Sequence, residues 1–141
     1  MDASVAAKWL LPEIDSDAAA RLLEDDDLAF HVPELFDAEL GNVLWKRVQR
    51  REMSTAEAAE TVALVNRIPA TRHAHADLLE HAFALAVELS ISVYDALYVS
   101  LALALDAPLV TSDQWLRERA RRVVQVHSLH DAPTDDSNPN Q

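Results

Sequence analysis

The chain has 141 residues and a net charge of −12 at neutral pH, with 24 acidic and 12 basic side chains. Half of the residues are hydrophobic, which excludes an intrinsically disordered chain and predicts one compact domain with a hydrophobic core. No cysteine is present, which excludes a disulfide scaffold, a thiol nucleophile and a cysteine-based metal site and suits a cytoplasmic location. The apolar runs are shorter than the ~20 residues that span a bilayer, so no membrane association is expected.

Periodicity, capping residues and prolines predict alternating helices and strands along the chain. Strands that alternate with helices favour an α/β fold with a mostly parallel sheet flanked by helices. We expect one domain over residues 1–130 and a polar, disordered tail over 131–141. The predicted helices cover 4–11, 17–24, 33–51, 54–67, 77–89, 95–105 and 113–120, and the predicted strands cover 28–32, 70–73, 108–112 and 123–129.

The helix that begins at Asp95 is unusually apolar. Residues 96–105 carry no charge, which indicates a helix buried on nearly every side. The carboxylate at its start therefore needs a separate explanation.

Four acids occupy comparable positions in the predicted fold. Asp2, Asp95 and Asp113 each open a helix, and Glu39 lies among mostly apolar neighbours on the long helix after the strand at 28–32. Taken singly, each of the three aspartates is better explained as a helix cap or first-turn acid, and Glu39 could be a boundary residue on an amphipathic helix. Parallel sheets bind ligands at the carboxyl ends of their strands. Acids that converge there would repel one another unless a divalent cation such as Mg²⁺ or Mn²⁺ neutralises them.

The basic residues are concentrated rather than spread. Eight of the twelve lie in the segments KRVQRR (46–51) and RERARR (117–122). On a helix, Lys46 lies two turns after Glu39 and Arg50 continues that stripe, while Arg117 lies one turn after Asp113. These three are candidates for contacts with a nucleic-acid backbone, although ordinary solvated helix faces would show the same pattern.

Four segments together resemble a known family: DASV (2–5), PELFDAELGNVLWK (33–46), YDALYVSLAL (94–103) and LVTSD (109–113). In order and spacing they are similar to the acidic motifs of PIN-domain nucleases, and more narrowly to the VapC-type toxins of toxin–antitoxin pairs. The resemblance implies a three-layer α/β/α fold with a nominally five-stranded parallel sheet. It also implies Mg²⁺- or Mn²⁺-dependent endonuclease cleavage of RNA, a cognate antitoxin as partner, and a homodimer.

The resemblance also assigns residues. The catalytic and metal-binding acids would be Asp2, Glu39, Asp95 and Asp113. Asp37, two residues from Glu39, is not at the family's catalytic position. The polar residues that would support the acids are Ser4, Asn42, Thr111 and Ser112.

The chain departs from the family at its start. In the family an apolar strand leads into the first aspartate, whereas here only Met1 precedes Asp2. We therefore expect the first strand to be truncated or missing. This leaves open a PIN-like binding module without activity. A phosphoacceptor receiver domain is disfavoured, because the predicted last strand, VVQVHSL, lacks the lysine that such a domain needs.

Histidines and tryptophans have simpler interpretations. His73 and His75 are predicted to be surface or loop residues, because no third ligand follows at a suitable spacing. Trp9 and Trp45 are predicted to lie in the core or an interface, and the helices at 4–11 and 34–51 are candidate dimer surfaces.

Overall fold

A computed structural model describes residues 1–131; the predicted tail beyond Asp131 lies outside the described residues. The described part contains seven α-helices, four strands and one 3₁₀ turn at His75–Asp77. The helices are α1 (Ala3–Leu10), α2 (Ser16–Glu24), α3 (Leu35–Gln49), α4 (Thr55–Val65), α5 (Leu79–Leu89), α6 (Val93–Ala104) and α7 (Gln114–Ala120). The strands are β1 (Phe30–Pro33), β2 (Ala70–His73), β3 (Leu109–Val110) and β4 (Val126–His127).

The strands form two separate parallel pairs. β1 pairs with β2, with Phe30 opposite Ala70, and β3 pairs with β4, with Leu109 opposite Val126. The expected parallel α/β architecture is confirmed. The strands predicted at 108–112 and 123–129 were too long: each contributes only two paired residues.

The first two residues connect the two sheets. The Met1 amino group donates to the carbonyl of His31 on β1 at 3.4 Å. The next amide, that of Asp2, donates to the carbonyl of Val110 on β3 at 3.0 Å. The backbone nitrogens of these two consecutive residues thus point to opposite sheets, as they do in the central strand of a parallel sheet. The predicted first strand is reduced to a stub formed by Met1 and Asp2.

Helix α6 is the centre of the core. All seven residues from Ala96 to Ala102 are buried, as the uncharged sequence predicted. The helix packs against α5, β1 and β3. It therefore contacts a strand of each sheet and holds Asp95 on a rigid element.

An ion pair between α3 and β2 stabilises the other side of the fold. The guanidinium of Arg72 donates to both carboxylate oxygens of Asp37 at 2.8 and 3.0 Å. Arg72 also donates to the backbone carbonyls of Val65, Ile68 and Ala70. Asp37 is thus occupied by a structural contact, in agreement with its exclusion from the predicted site.

The exposed apolar side chains lie only partly where the sequence predicts candidate interfaces. Trp9 donates to the carbonyl of Ala19 and packs edge-on against Phe30, so this part of α1 is covered by the chain itself. Trp45 is not in the core, because 56% of it is exposed. The sequence analysis did not single out α5, where exposed side chains recur one turn apart at Leu79, Phe83 and Val87.

Within residues 1–131, no single helix is both long and apolar enough to cross a bilayer. The pair formed by α5 and α6 reaches that length and composition only across a bend of 113°.

We expect Arg72→Ala to lower the free energy of unfolding by about 2 kcal/mol, because it leaves a half-buried carboxylate and three carbonyls without their donor. Urea unfolding followed by circular dichroism measures the loss. Arg21→Ala, on an exposed position of α2, is the matched control and should change stability little. Equal losses in the two variants would contradict the structural role of the ion pair.

Candidate active site

Asp2 is the most buried of the four predicted acids, with 6% of its surface exposed. It is the N-cap of α1, and its Oδ1 accepts from the amides of Ser4 and Val5 and from the Ser4 hydroxyl. Its Oδ2 accepts from the hydroxyl of Thr111. Burial raises the pKa of Asp2, and the hydrogen bonds from Ser4, Thr111 and Val5 oppose that rise.

A chain of hydrogen bonds joins Asp2 to the loop after β3. The fully buried Thr111 donates to Asp2 and also accepts from the Asp113 amide at 3.0 Å. The Ser4 hydroxyl accepts from the Ser112 amide at 2.9 Å. Asp113 is exposed and caps α7 by accepting from the Leu116 amide. Three of the predicted supporting residues thus connect the start of α1 with the start of α7.

Glu39 lies on α3 beside acids from two other elements. Its pKa is raised to about 7, chiefly by burial and also by the negative charges of Asp2 and Asp95, while hydrogen bonding to Tyr98 opposes the rise. One of its carboxylate oxygens, Oε1, is buried and has no hydrogen-bond partner within the described residues. The buried hydroxyl of Tyr98 on α6 lies against this carboxylate and interacts with it, although the pair falls outside ideal hydrogen-bond geometry.

Asp95 is held by its own helix start. The Ser92 hydroxyl accepts from the Asp95 amide at 3.0 Å and donates to the Asp95 carboxylate at 2.8 Å. The acid is half-buried, and Glu39 is close enough for its pKa to respond to the charge of Asp95. Ser92, not Asp95, is therefore the N-cap of α6, and Asp95 is an acid in the first turn of the helix that also lies near Glu39.

The structure thus places Asp2 and Asp95 close enough to Glu39 for their charges to affect it. Thr111 connects Asp113 to Asp2 by hydrogen bonds. Within residues 1–131, however, no three acidic or histidine side chains are arranged tightly enough to enclose a metal ion as they stand. The donor set is nevertheless suitable for Mg²⁺ or Mn²⁺, since both prefer carboxylate oxygens completed by water. The buried oxygen of Glu39, which accepts no hydrogen bond of good geometry from the described residues, is the observation that best fits the binding of such a cation.

The remaining predicted residues lie on exposed or half-exposed helix surfaces. Asn42 is exposed one turn after Glu39, and Lys46 and Arg50 are exposed further along α3. Arg117 is half-buried on α7. No contact in the described residues connects these four side chains to the acids.

Sequence reasoning missed the structural use of the histidines. His31 Nδ1 and His73 Nε2 are 2.9 Å apart across β1 and β2. His75 Nε2 accepts from the Leu35 amide at the start of α3. Both predicted surface histidines are therefore half-buried and hydrogen-bonded. Only the pairing of β1 with β2 brings these partners together, so no local pattern could have revealed them.

Comparison with known proteins decides the family. The model of the PIN domain matches residues 1–122. The chain belongs to the PIN-domain family. Among similar curated proteins, Ribonuclease VapC3 of Pyrobaculum aerophilum is 35% identical over 121 residues, which cover 84% of this chain and 92% of that protein. Ribonuclease VapC9 of Mycobacterium tuberculosis is 35% identical over 113 residues, covering 80% and 84%.

A solved structure agrees on the fold. The crystal structure of PAE2754 from Pyrobaculum aerophilum superposes with a TM-score of 0.68 at 22% identity, and covers 92% of this chain and 87% of that one. The expected family and three-layer PIN fold are thereby confirmed, and the chain resembles the VapC-type members. A receiver domain finds no support in these comparisons.

Without metal, we expect this PIN domain to lose stability as the pH rises from about 4.5 to about 7. The folded pKa of Glu39 is raised above its ordinary value, so the folded state binds the proton more tightly, and ionisation costs stability. The cost is on the order of 1–2 kcal/mol after allowance for solvent screening of a partly exposed group. Urea unfolding of wild type and Glu39→Gln at pH 5 and pH 8 measures it. The variant should lose less stability between the two pH values, and identical losses would contradict the burial of an ionised Glu39.

Thr111→Val should lower the free energy of unfolding by about 2 kcal/mol. The nearly isosteric change removes the donor to buried Asp2 and the acceptor for the Asp113 amide. Ser112→Ala, which alters an exposed neighbour on the same loop, is the control and should be nearly neutral. Calorimetric unfolding of the two variants compares them directly, and a neutral Thr111→Val would show that the hydrogen-bonded link contributes nothing.

Proposed function

We propose that this chain is the toxin of a toxin–antitoxin pair and a metal-dependent endoribonuclease, which hydrolyses RNA phosphodiester bonds at the site of Asp2, Glu39, Asp95 and Asp113. The family match and the relatives named ribonuclease support the ribonuclease class. The observation that carries the metal-dependent site is the buried Glu39 oxygen without a partner, beside two acids from other elements.

The four acids would hold Mg²⁺ or Mn²⁺ through their oxygens. When bound, such an ion supplies positive charge for the scissile phosphate and lowers the pKa of a coordinated water. The protein's own contribution is rigid placement. Asp2 is fixed by its donors at the start of α1, and Asp95 is fixed by Ser92 at the start of the buried helix α6.

Neutralising the acids would also relieve a cost of folding. Glu39 has a raised pKa because an ionised carboxylate is unfavourable in this half-buried position near other negative charges. A divalent cation favours the ionised form, so its binding should release protons near neutral pH and stabilise the fold.

The partners follow from the same proposal. Lys46, Arg50 and Arg117 would contact the RNA backbone, because sequence-independent binding depends on positive charge near phosphate. A cognate antitoxin would bind the toxin in the cytoplasm and block the acids. A homodimer is also proposed, with the exposed Trp45 of α3 as one available apolar contact.

Glu39→Gln should abolish Mn²⁺ binding measured by calorimetry and reduce Mn²⁺-dependent cleavage of a labelled RNA by at least about 100-fold, because the carboxylate contacts the metal directly. Asp37→Asn is a matched control, since it removes a carboxylate two residues away that is paired with Arg72. This control should keep metal binding and cleavage but unfold at lower temperature.

The two variants therefore distinguish a loss of metal binding and RNA cleavage from a loss of folding stability. Failure of the wild-type chain to bind Mn²⁺ would contradict the proposed function itself. Equal metal binding by wild type and Glu39→Gln would leave a metal-binding chain but remove Glu39 from the site.

A further inference from the structure

Trp115 is an exposed aromatic side chain beside the candidate site. It is the second residue of α7, and 54% of its surface is exposed. Asp113, the N-cap of the same helix, precedes it by two residues, so their Cα atoms are at most about 7 Å apart. Thr111 connects Asp113 to Asp2 by hydrogen bonds. The indole is therefore carried by the same hydrogen-bonded segment as two of the predicted acids.

One face of the indole is covered by a guanidinium. The Cζ atom of Arg119 lies 3.1 Å from the centroid of the Trp115 ring. The two residues are four apart on α7, which places them on the same side of the helix. Such a cation–π pair is attractive and opposes rotation of the ring. Trp115 is thus held in one orientation although more than half of it is exposed.

The opposite face of the indole can accept a flat group. Within residues 1–131, no second aromatic ring or guanidinium stacks on Trp115. A ring that is already oriented by Arg119 loses little conformational freedom when a ligand stacks on it, so more of the stacking free energy contributes to binding. This half of the indole therefore has the properties of a preorganised stacking surface.

The charge around Trp115 favours an anionic ligand. Residues 117–122 include four arginines, in a chain whose net charge is −12. Among the described residues, no carboxylate forms an ion pair with Arg119, and its buried Nε has no hydrogen-bond partner. A ligand with a flat aromatic group next to negative charge matches this surface. Single-stranded nucleic acid combines the two, since each base is followed by a phosphate.

We propose that the face of Trp115 opposite Arg119 is the stacking site for an unpaired base of the RNA, adjacent to the phosphate held at the acids. The identity of the ligand rests on the proposed ribonuclease function. Every base has a π-face, so the contact adds affinity for single-stranded RNA without selecting a sequence. Arg119 is a positioning residue that orients the indole.

The test measures binding of a labelled single-stranded RNA of about eight nucleotides by fluorescence anisotropy. A chelator is present, so that metal-dependent cleavage does not consume the RNA. A second RNA has the same riboses and phosphates but lacks the bases. The proteins are the full wild-type chain, Trp115→Ala, Trp115→Phe and the control Phe83→Ala, which removes a ring that is 63% exposed on α5.

Trp115→Ala should weaken binding of the base-containing RNA about tenfold, as the loss of one stacked base does, and should leave binding of the abasic RNA unchanged. Trp115→Phe should lose less affinity, because the smaller ring still stacks. The base-containing RNA should quench the indole fluorescence of the wild type more than that of Trp115→Phe. Phe83→Ala should bind both RNAs as the wild type does.

Equal weakening for the two RNAs would overturn the proposal, because it would indicate a change of charge or folding rather than a lost stack. Unchanged binding of the base-containing RNA by Trp115→Ala would also overturn it. If that variant in addition lost a concentration-dependent self-association that the wild type shows by light scattering, the indole would belong to a contact with a second copy.

Parallel mixtures with Mn²⁺ in place of the chelator distinguish this inference from the proposed function. A base-dependent loss in Trp115→Ala, without Mn²⁺-dependent cleavage by the wild type, would contradict the ribonuclease and support the stacking site. Cleavage by the wild type, without a base-dependent loss in Trp115→Ala, would support the ribonuclease and overturn the stacking site.

Discussion

Two consecutive backbone donors, the Met1 amino group and the Asp2 amide, connect the two sheets. The Met1 and Asp2 donors bridge β1 and β3, which otherwise belong to separate two-stranded sheets. The same stub places the Asp2 carboxylate where it can cap α1 and accept from Thr111. The geometry of the site and the connection between the sheets therefore depend on the same two residues.

This arrangement concentrates negative charge in a region that the fold partly desolvates. Asp2 is compensated by four donors, two of them backbone amides, whereas the Oε1 atom of Glu39 has no donor within the described residues. Asp37, two residues away on the same helix, accepts hydrogen bonds from Arg72 at both carboxylate oxygens. Helix α3 can thus carry an acid whose hydrogen-bonding capacity is satisfied. Glu39 therefore differs from Asp37 in keeping a buried carboxylate oxygen that no donor of good geometry among the described residues satisfies.

The sequence could predict the parts of the fold that depend on local chemistry. The capping box of Ser54 and Glu57, the strand at 70–73 and the buried middle of helix α6 follow from short-range patterns and agree with the structure. Helix ends differed by a few residues only. The segments 108–112 and 123–129 are apolar enough for strands, but each forms a strand of only two residues. A strand also needs a neighbour to pair with, and on the side away from β4, β3 pairs only with the stub formed by Met1 and Asp2.

The sequence could predict some of the residues that lie close together at the candidate site, but not their contacts. The motif order identified Asp2, Ser4 and Thr111, which the structure joins by hydrogen bonds, because strand ends and helix starts are local features. The Tyr98 hydroxyl beside Glu39 was missed, since a tyrosine in an apolar helix is first explained as core. The pairs Asp37–Arg72 and His31–His73 were missed for a related reason, as each joins residues that only the pairing of β1 with β2 brings together.

The clustered acids that the proposed chemistry needs therefore lower the stability of the folded state when they are ionised. Gathering Asp2, Glu39 and Asp95 raises the pKa of Glu39, so the ionised form is less stable without a cation. A cation bound to the acids would favour the ionised form and offset this cost. Metal affinity and fold stability should accordingly be thermodynamically coupled, each favouring the other.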